Sequence, residues 1–230
     1  MLVFRTFLAF LAALTLVACG EAKMVTQETP KLQLGDFSFG HNIVVADGMQ
    51  KGVFSRTAEP EEIKDSLTAA LAERLGRYDG DKLYHLGIKV EAYALAMPGI
   101  PIVFKPKSAY ILTVTAWDDA AGGKLNEEPR LLTIFEGTSA QTLIGSGITR
   151  NKQEQIDVLS RNAARRIERW LEENGDWFGV AAVGAEITQE DDTAAALELL
   201  AANADPDALA AAQKVAAEQQ AAAQTQPQSQ

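Results

Sequence analysis

Few side chains in this sequence suit nucleophilic, acid–base or metal chemistry. There is one cysteine, Cys19, and there are two histidines, His41 and His85. Cys19 closes an apolar leader. Arg5 is the only charge in the first twenty residues, and Phe7 to Ala18 is apolar except for Thr15. That run is short for a membrane-spanning helix, which needs about 20 apolar residues. Its length suits the core of a signal peptide, and small Ala18 stands where a processing site needs a small residue. His41 and His85 fall on separate strand-like segments with no carboxylate at ligand spacing. Their expected role is structural, and neither a metal site nor a cofactor is expected.

Two further patterns carry weaker chemistry. Gly145-Ser146-Gly147 lacks the G-x-S-x-G spacing of a serine nucleophile turn and reads as a loop. Asp118-Asp119 and Glu127-Glu128 flank one loop, where acidic pairs either hold a cation weakly or are simply solvated; the solvated loop is the expectation. No catalytic constellation emerges, and a non-enzymatic protein is expected. Ile100, Ile102, Val103 and Phe104, between Pro98 and Pro106, form an apolar segment that either offers a partner-binding lip or folds over the sheet edge.

Leu16-Val17-Ala18-Cys19-Gly20 resembles the lipobox of bacterial lipoprotein precursors. The resemblance implies a diacylglycerol thioether on Cys19, cleavage between Ala18 and Cys19, and acylation of the new amino terminus. An uncleaved anchor over Leu2 to Ala18, or an ordinary secretory signal, are the alternatives. A single acyl chain holds a protein weakly, and two or more anchor it stably. Aspartate after the cysteine is the usual inner-membrane retention signal in Gram-negative lipoproteins, so Gly20 implies the outer membrane, with the domain facing the periplasm.

The net charge of −10 argues against nucleic acid and against electrostatic binding to anionic lipid. Once Cys19 is lipidated no thiol remains, so the domain must rely on its core. Residues 186–230 hold eight acids and one base, Lys214.

The elements around these residues follow from periodicity. Residues 1–18 read as the leader and 19–31 as a tether. Residues 32–184 read as the folded domain and 185–230 as an acidic Ala/Gln-rich tail. Phe37, Phe39, Ile43, Val44 and Val45 suit one or two short strands. Ile63, Leu67, Leu71 and Leu75 make one stripe of a helix over 59–75, with Pro60 in its first turn. Tyr84 to Ala96 and Ala109 to Trp117 alternate as strands, the former with Ile88, Val90, Ala92 and Ala94 on one face. Arg130 to Glu136 returns as a third long strand, and Thr142 to Ile148 suits a short further strand or a crossover. Lys152 to Asn174 reads as a helix burying Ile156, Leu159, Ala163, Ile167, Trp170 and Leu171, with Arg161, Arg165, Arg166 and Arg169 exposed. Thr193 to Ala202 and Pro206 to Gln224 favour helix but offer few large apolar residues for docking, so mobile helices are expected. The sum is an α+β two-layer sandwich: a mostly antiparallel sheet of about four strands with two helices on one face, and a helical to disordered tail.

Leu159-Ser160 with Arg161 is similar to a helix of OmpA-like peptidoglycan-binding domains. However, Ile156 and Ala163 stand where that family has asparagine and its ligand-binding arginine, so peptidoglycan recognition by this route is not expected. In element order, Leu32 to Phe178 resembles small envelope lipoproteins, among them the partner of the lipopolysaccharide translocon and auxiliary lipoproteins of transport systems. That resemblance implies a non-enzymatic adaptor or structural component with a protein partner in the envelope. A small-ligand or glycan binder is the alternative.

Overall fold

The computed structural model describes residues 29–52, 55–97, 108–136, 150–184 and 188–202. Ala18, Cys19, Thr142 to Ile148 and the tail beyond Ala202 lie outside the described residues. Strand β1 (Ser38–Val45) leads through short β2 (Gln50–Lys51) to helix α1 (Pro60–Leu75). Strands β3 (Leu83–Ala94), β4 (Ala109–Asp118), β5 (Gly123–Lys124) and β6 (Arg130–Phe135) follow. Helix α2 (Lys152–Glu173), a 3-10 turn (Gly175–Phe178) and helix α3 (Gln189–Ala202) complete the order.

The sheet has six strands and is mixed, which corrects the expected mostly antiparallel sheet of about four. β3, β4 and β6 form the antiparallel meander read from the sequence. β1 and β2 pair with β3 in parallel, because α1 is the crossover between them. A helical crossover returns the chain in its original direction, whereas a tight hairpin reverses it. A second correction concerns β3. Its register slips between Val90 and Ala92. This bulge moves Ala92 and Ala94 to the face opposite Ile88 and Val90 and turns Tyr93 into the core.

Helices α1 and α2 pack side by side on the core face. The expected stripes are buried: Ile63, Leu67, Leu71 and Leu75 from α1, and Ile156, Leu159, Ala163, Ile167, Trp170 and Leu171 from α2. Burying each large aliphatic side chain contributes about 1.5–3 kcal/mol. Asn151 starts α2 with a capping box, taking the Glu154 amide at 2.9 Å while Glu154 takes the Asn151 amide at 2.8 Å.

The two helices and the chain's entry are joined by one carboxylate. Glu168 is fully buried on α2. It accepts from Arg74 Nε at 2.6 Å, Arg77 Nη2 at 2.8 Å and the Tyr78 hydroxyl at 2.7 Å, all at the end of α1. Arg77 also donates to the carbonyls of Thr29 and Pro30, and the Tyr78 oxygen accepts the Leu32 amide at 2.9 Å. Residues 29–34 therefore form a strap over the helix ends, not the start of a strand. The Gln33 amide donates to Glu172 and the Asp36 amide to the Phe178 carbonyl. Gly35 turns the strap inward with φ of 65°, a conformation that favours glycine, and a Cβ there would meet the Phe178 carbonyl at 2.5 Å. Phe178 folds back onto the core, edge-on to Phe37 and Tyr84.

The other face of the sheet is not bare. α3 lies on it, with Ala196 and Leu199 packed against Ala92, Ile111 and Leu131. The expected mobile helix is docked because a carboxylate supplies what apolar area does not. Asp192 is buried; its carboxylate accepts from Arg130 Nη2 at 3.1 Å, Arg166 Nη2 at 3.2 Å and the Thr133 amide at 3.0 Å. Arg166, expected on an exposed face, is thereby largely covered and also pairs with Glu173 at 3.5 Å. Burial raises the Asp192 carboxyl above its ordinary value, and the Thr133 hydrogen bond and the two guanidinium charges offset this in part.

Removing the Glu168 carboxylate leaves two guanidinium groups half-buried without it. Glu168→Ala should lower unfolding free energy by about 3–5 kcal/mol, and Tyr78→Phe by about 1–2 kcal/mol, in urea titrations. Burial and then Glu168 push the Tyr78 hydroxyl well above its ordinary value. The folded state thus holds this proton more tightly than the unfolded chain. Its contribution is whole below about pH 10 and declines as pH rises beyond it. Tyr78→Phe should flatten that alkaline loss, read as the midpoint of urea unfolding between pH 8 and 11.

Candidate functional site

Three polar clusters stand out among the described residues besides the one around Glu168. The first unites both histidines. β1 carries a bulge between Phe39 and Asn42 that turns the His41 amide toward β3. That amide donates to His85 Nδ1 at 2.9 Å, and His85 Nε2 lies 2.9 Å from Asp119 Oδ1. The His41 and His85 rings stack with centroids 5.4 Å apart. Gly40 makes this arrangement fit, because a Cβ there would stand 2.5 Å from the His85 ring.

Sequence spacing gave the histidines no carboxylate partner; the sheet register supplies one by setting the end of β4 beside the start of β3. The geometry fixes the chemistry. With Nδ1 accepting, the proton sits on Nε2 and faces Asp119. Both nitrogens are engaged, so neither is presented as a base or a metal ligand. Asp118 is turned away and caps the loop through the Ala121 amide at 2.9 Å, while Glu127 and Glu128 are exposed. Among the described residues no group of three or more His, Cys, Asp and Glu side chains is placed to hold a metal ion.

The second cluster is a buried polar platform at the opposite end of the sheet. β3 ends there, β4 begins, β6 ends and α2 begins. Ser55 Oγ accepts the Leu95 amide at 2.8 Å, and Ser108 Oγ accepts the Ala96 amide at 3.2 Å. Gln155 Nε2 donates to the Ala96 carbonyl at 3.2 Å, and Arg150 pairs with Glu136 at 2.5 Å. Ser55, Ser108, Glu136, Arg150 and Gln155 are all buried. This platform sets the stems of two segments, 98–107 and 137–149. Ile100, Ile102, Val103, Phe104 and Gly145-Ser146-Gly147 fall within these segments and lie outside the described residues. On the stem, Met97 is 40% exposed beside fully buried Ser108. The platform was not singled out from the sequence. Its one local signal is Gln155, a polar side chain directly beside the Ile156 stripe.

The third cluster is the α3 seat of Arg130, Thr133 and Arg166 around Asp192. It also escaped sequence reading, since a single aspartate in an acidic tail carries no pattern. Among the described residues no helix is long and apolar enough to cross a membrane.

No protein-family model matches the chain, and no curated protein matches it. Several solved structures resemble it in fold. A DUF330-family protein of Xanthomonas campestris aligns with 12% identity and a TM-score of 0.40, covering 68% of this chain and 95% of that one. A candidate lipoprotein of Caulobacter crescentus aligns with 14% identity and a TM-score of 0.31, covering 64% and 92%. A minor lipoprotein of Acinetobacter baumannii aligns with 18% identity and a TM-score of 0.24, covering 57% and 91%. Likenesses this distant assign no activity, site or partner to the chain.

The histidine cluster yields a direct test. Gly40→Ala forces the His85 ring aside and should cost about 1–2 kcal/mol. In a His85→Ala background the same substitution should be nearly neutral. A double-mutant cycle in urea measures the coupling.

Proposed function

We propose that this chain is an envelope lipoprotein, anchored through lipid on Cys19, whose domain serves as a non-enzymatic adaptor or structural component of an assembly or transport system. The reading places it at the outer membrane, facing the periplasm. The observation that carries it is the conjunction of leader and strap. The sole cysteine ends an apolar run, and ten residues later the chain is already held by Arg77 and Tyr78. Ten residues span at most about 35 Å, so the domain hangs close to a membrane from its strapped end. Lipid anchoring needs nothing more from the polypeptide than this spacer.

The core supports a role exerted from the surface. Between the sheet and helices α1 and α2 the described side chains form one continuous packed cluster. A small-ligand or glycan site, the alternative, is then left to the apolar segment Ile100 to Phe104. The described residues that flank that segment, Met97 and Ser108, lie at the platform, at the end of β3 remote from the strap. The segment is the natural place for a protein partner to engage, because the strapped end is occupied with the anchor.

Two measurements test the reading. The wild-type chain should incorporate labelled palmitate and sediment with outer membranes, and Cys19→Ser should do neither. Crosslinking in intact cells should recover one dominant envelope partner, and Ile102→Glu with Phe104→Glu should reduce that product at least tenfold without lowering the amount of protein. Soluble wild-type protein without fatty acid would refute the anchor, and unchanged crosslinking would refute the interaction segment.

A further inference from the structure

Among the described residues, only part of the second face of the sheet is covered. α3 occupies the part formed by Ala92, Ile111 and Leu131. On the same face Ile43 is 68% exposed, Val45 40%, and Leu83 and Trp117 about as much. The register places these together. Ile43 pairs with Gly87, Val45 with Lys89 and Trp117 with His85, all pointing away from the core. Gly87 sits amid them in the middle of β3, where an added Cβ would find only the Thr115 carbonyl, at 4.0 Å. Glycine inside a strand weakens it and often marks a place where another backbone approaches closely. Apolar side chains gathered on one sheet face beside such a hollow mark a docking surface.

We propose that residues 206–224 of this chain cover this exposed part, lying beside α3. Three arguments select that occupant. The first is position: the chain leaves α3 at Ala202 on this same face, and only residues 203–205 intervene. Three residues reach about 10 Å, which matches the 8–10 Å between axes of adjacent packed helices. Helical hairpins use links of this length. The second is size. Nineteen residues of helix, the expectation for Pro206 to Gln224, run about 28 Å, and the eight residues of β1 run about 27 Å.

The third is shape. Ala208, Ala211 and Ala212 are small enough to settle over Gly87, and Leu209 and Val215 supply the larger contacts toward Ile43 and Trp117. α3 already docks this way, burying one alanine and one carboxylate rather than a broad apolar stripe. With the second tail segment in place each face of the sheet carries two helices, and the third layer that α3 begins is filled out.

Thiol accessibility tests this directly. Ile43→Cys is introduced into the full chain and into a chain ending at Ala202, which keeps every described residue; the parent, with Cys19 alone, gives the background. The proposal expects alkylation by a maleimide at least tenfold slower in the full chain. Leu209→Glu with Val215→Glu should restore the faster rate, and Ala120→Cys, in an exposed loop, should react equally in both chains. Equal rates for Ile43→Cys in both chains overturn the proposal. So does protection that survives the truncation and grows with protein concentration, which would identify a second copy as the occupant.

Discussion

A buried carboxylate with three donors holds this molecule together. Glu168 faces Arg74, Arg77 and Tyr78, and through them it ties the end of α1, the last turns of α2 and the entering strap into one unit. Such an ion cluster gains little over a well-packed apolar contact of equal volume. What it adds is specificity. Apolar stripes let two helices slide, whereas two guanidinium groups and a hydroxyl fix their relative height. Because Arg77 and Tyr78 also hold the backbone of Thr29, Pro30 and Leu32, the same cluster decides where the chain enters the domain.

The same device recurs on the opposite side of the sheet. Asp192 with Arg130, Arg166 and Thr133 fixes α3 as Glu168 fixes α2. In each case a charge buried on a helix is met by donors from neighbouring elements, and Arg166 pairs with both Asp192 and Glu173. The platform at the far end of the sheet follows the logic too, with Arg150 and Glu136 paired under the stems of two segments. The domain is therefore pinned by polar contacts at both ends while its middle is apolar.

Much of this was legible in the sequence, and the gaps have physical causes. Helix α1 and helix α2 announced themselves through four-residue apolar spacing and through Pro60 at a first turn, both local properties. β4 and β6 were clear for the same reason, since alternation over Ala109 to Trp117 reports directly on a half-buried strand. Strand direction was not legible: β1 and β2 pair with β3 across α1, and short apolar strands carry no mark of parallel pairing. The bulge at Glu91 was hidden because Ala92 and Tyr93 suit either face. Of the candidate sites, His41 and His85 were recognised, but their union with Asp119 depends on register. Glu168 and Asp192 look like ordinary surface acids until the fold surrounds them.

The most direct test of this account is amide hydrogen exchange at the strap. If Glu168 secures the entering chain through Arg77 and Tyr78, the Leu32 amide, which donates to the Tyr78 hydroxyl oxygen, should exchange slowly. In Glu168→Gln it should become fast while the amides of β3 and β4 keep their protection. Fast exchange at Leu32 in the wild-type protein, or unchanged slow exchange in the variant, would contradict it.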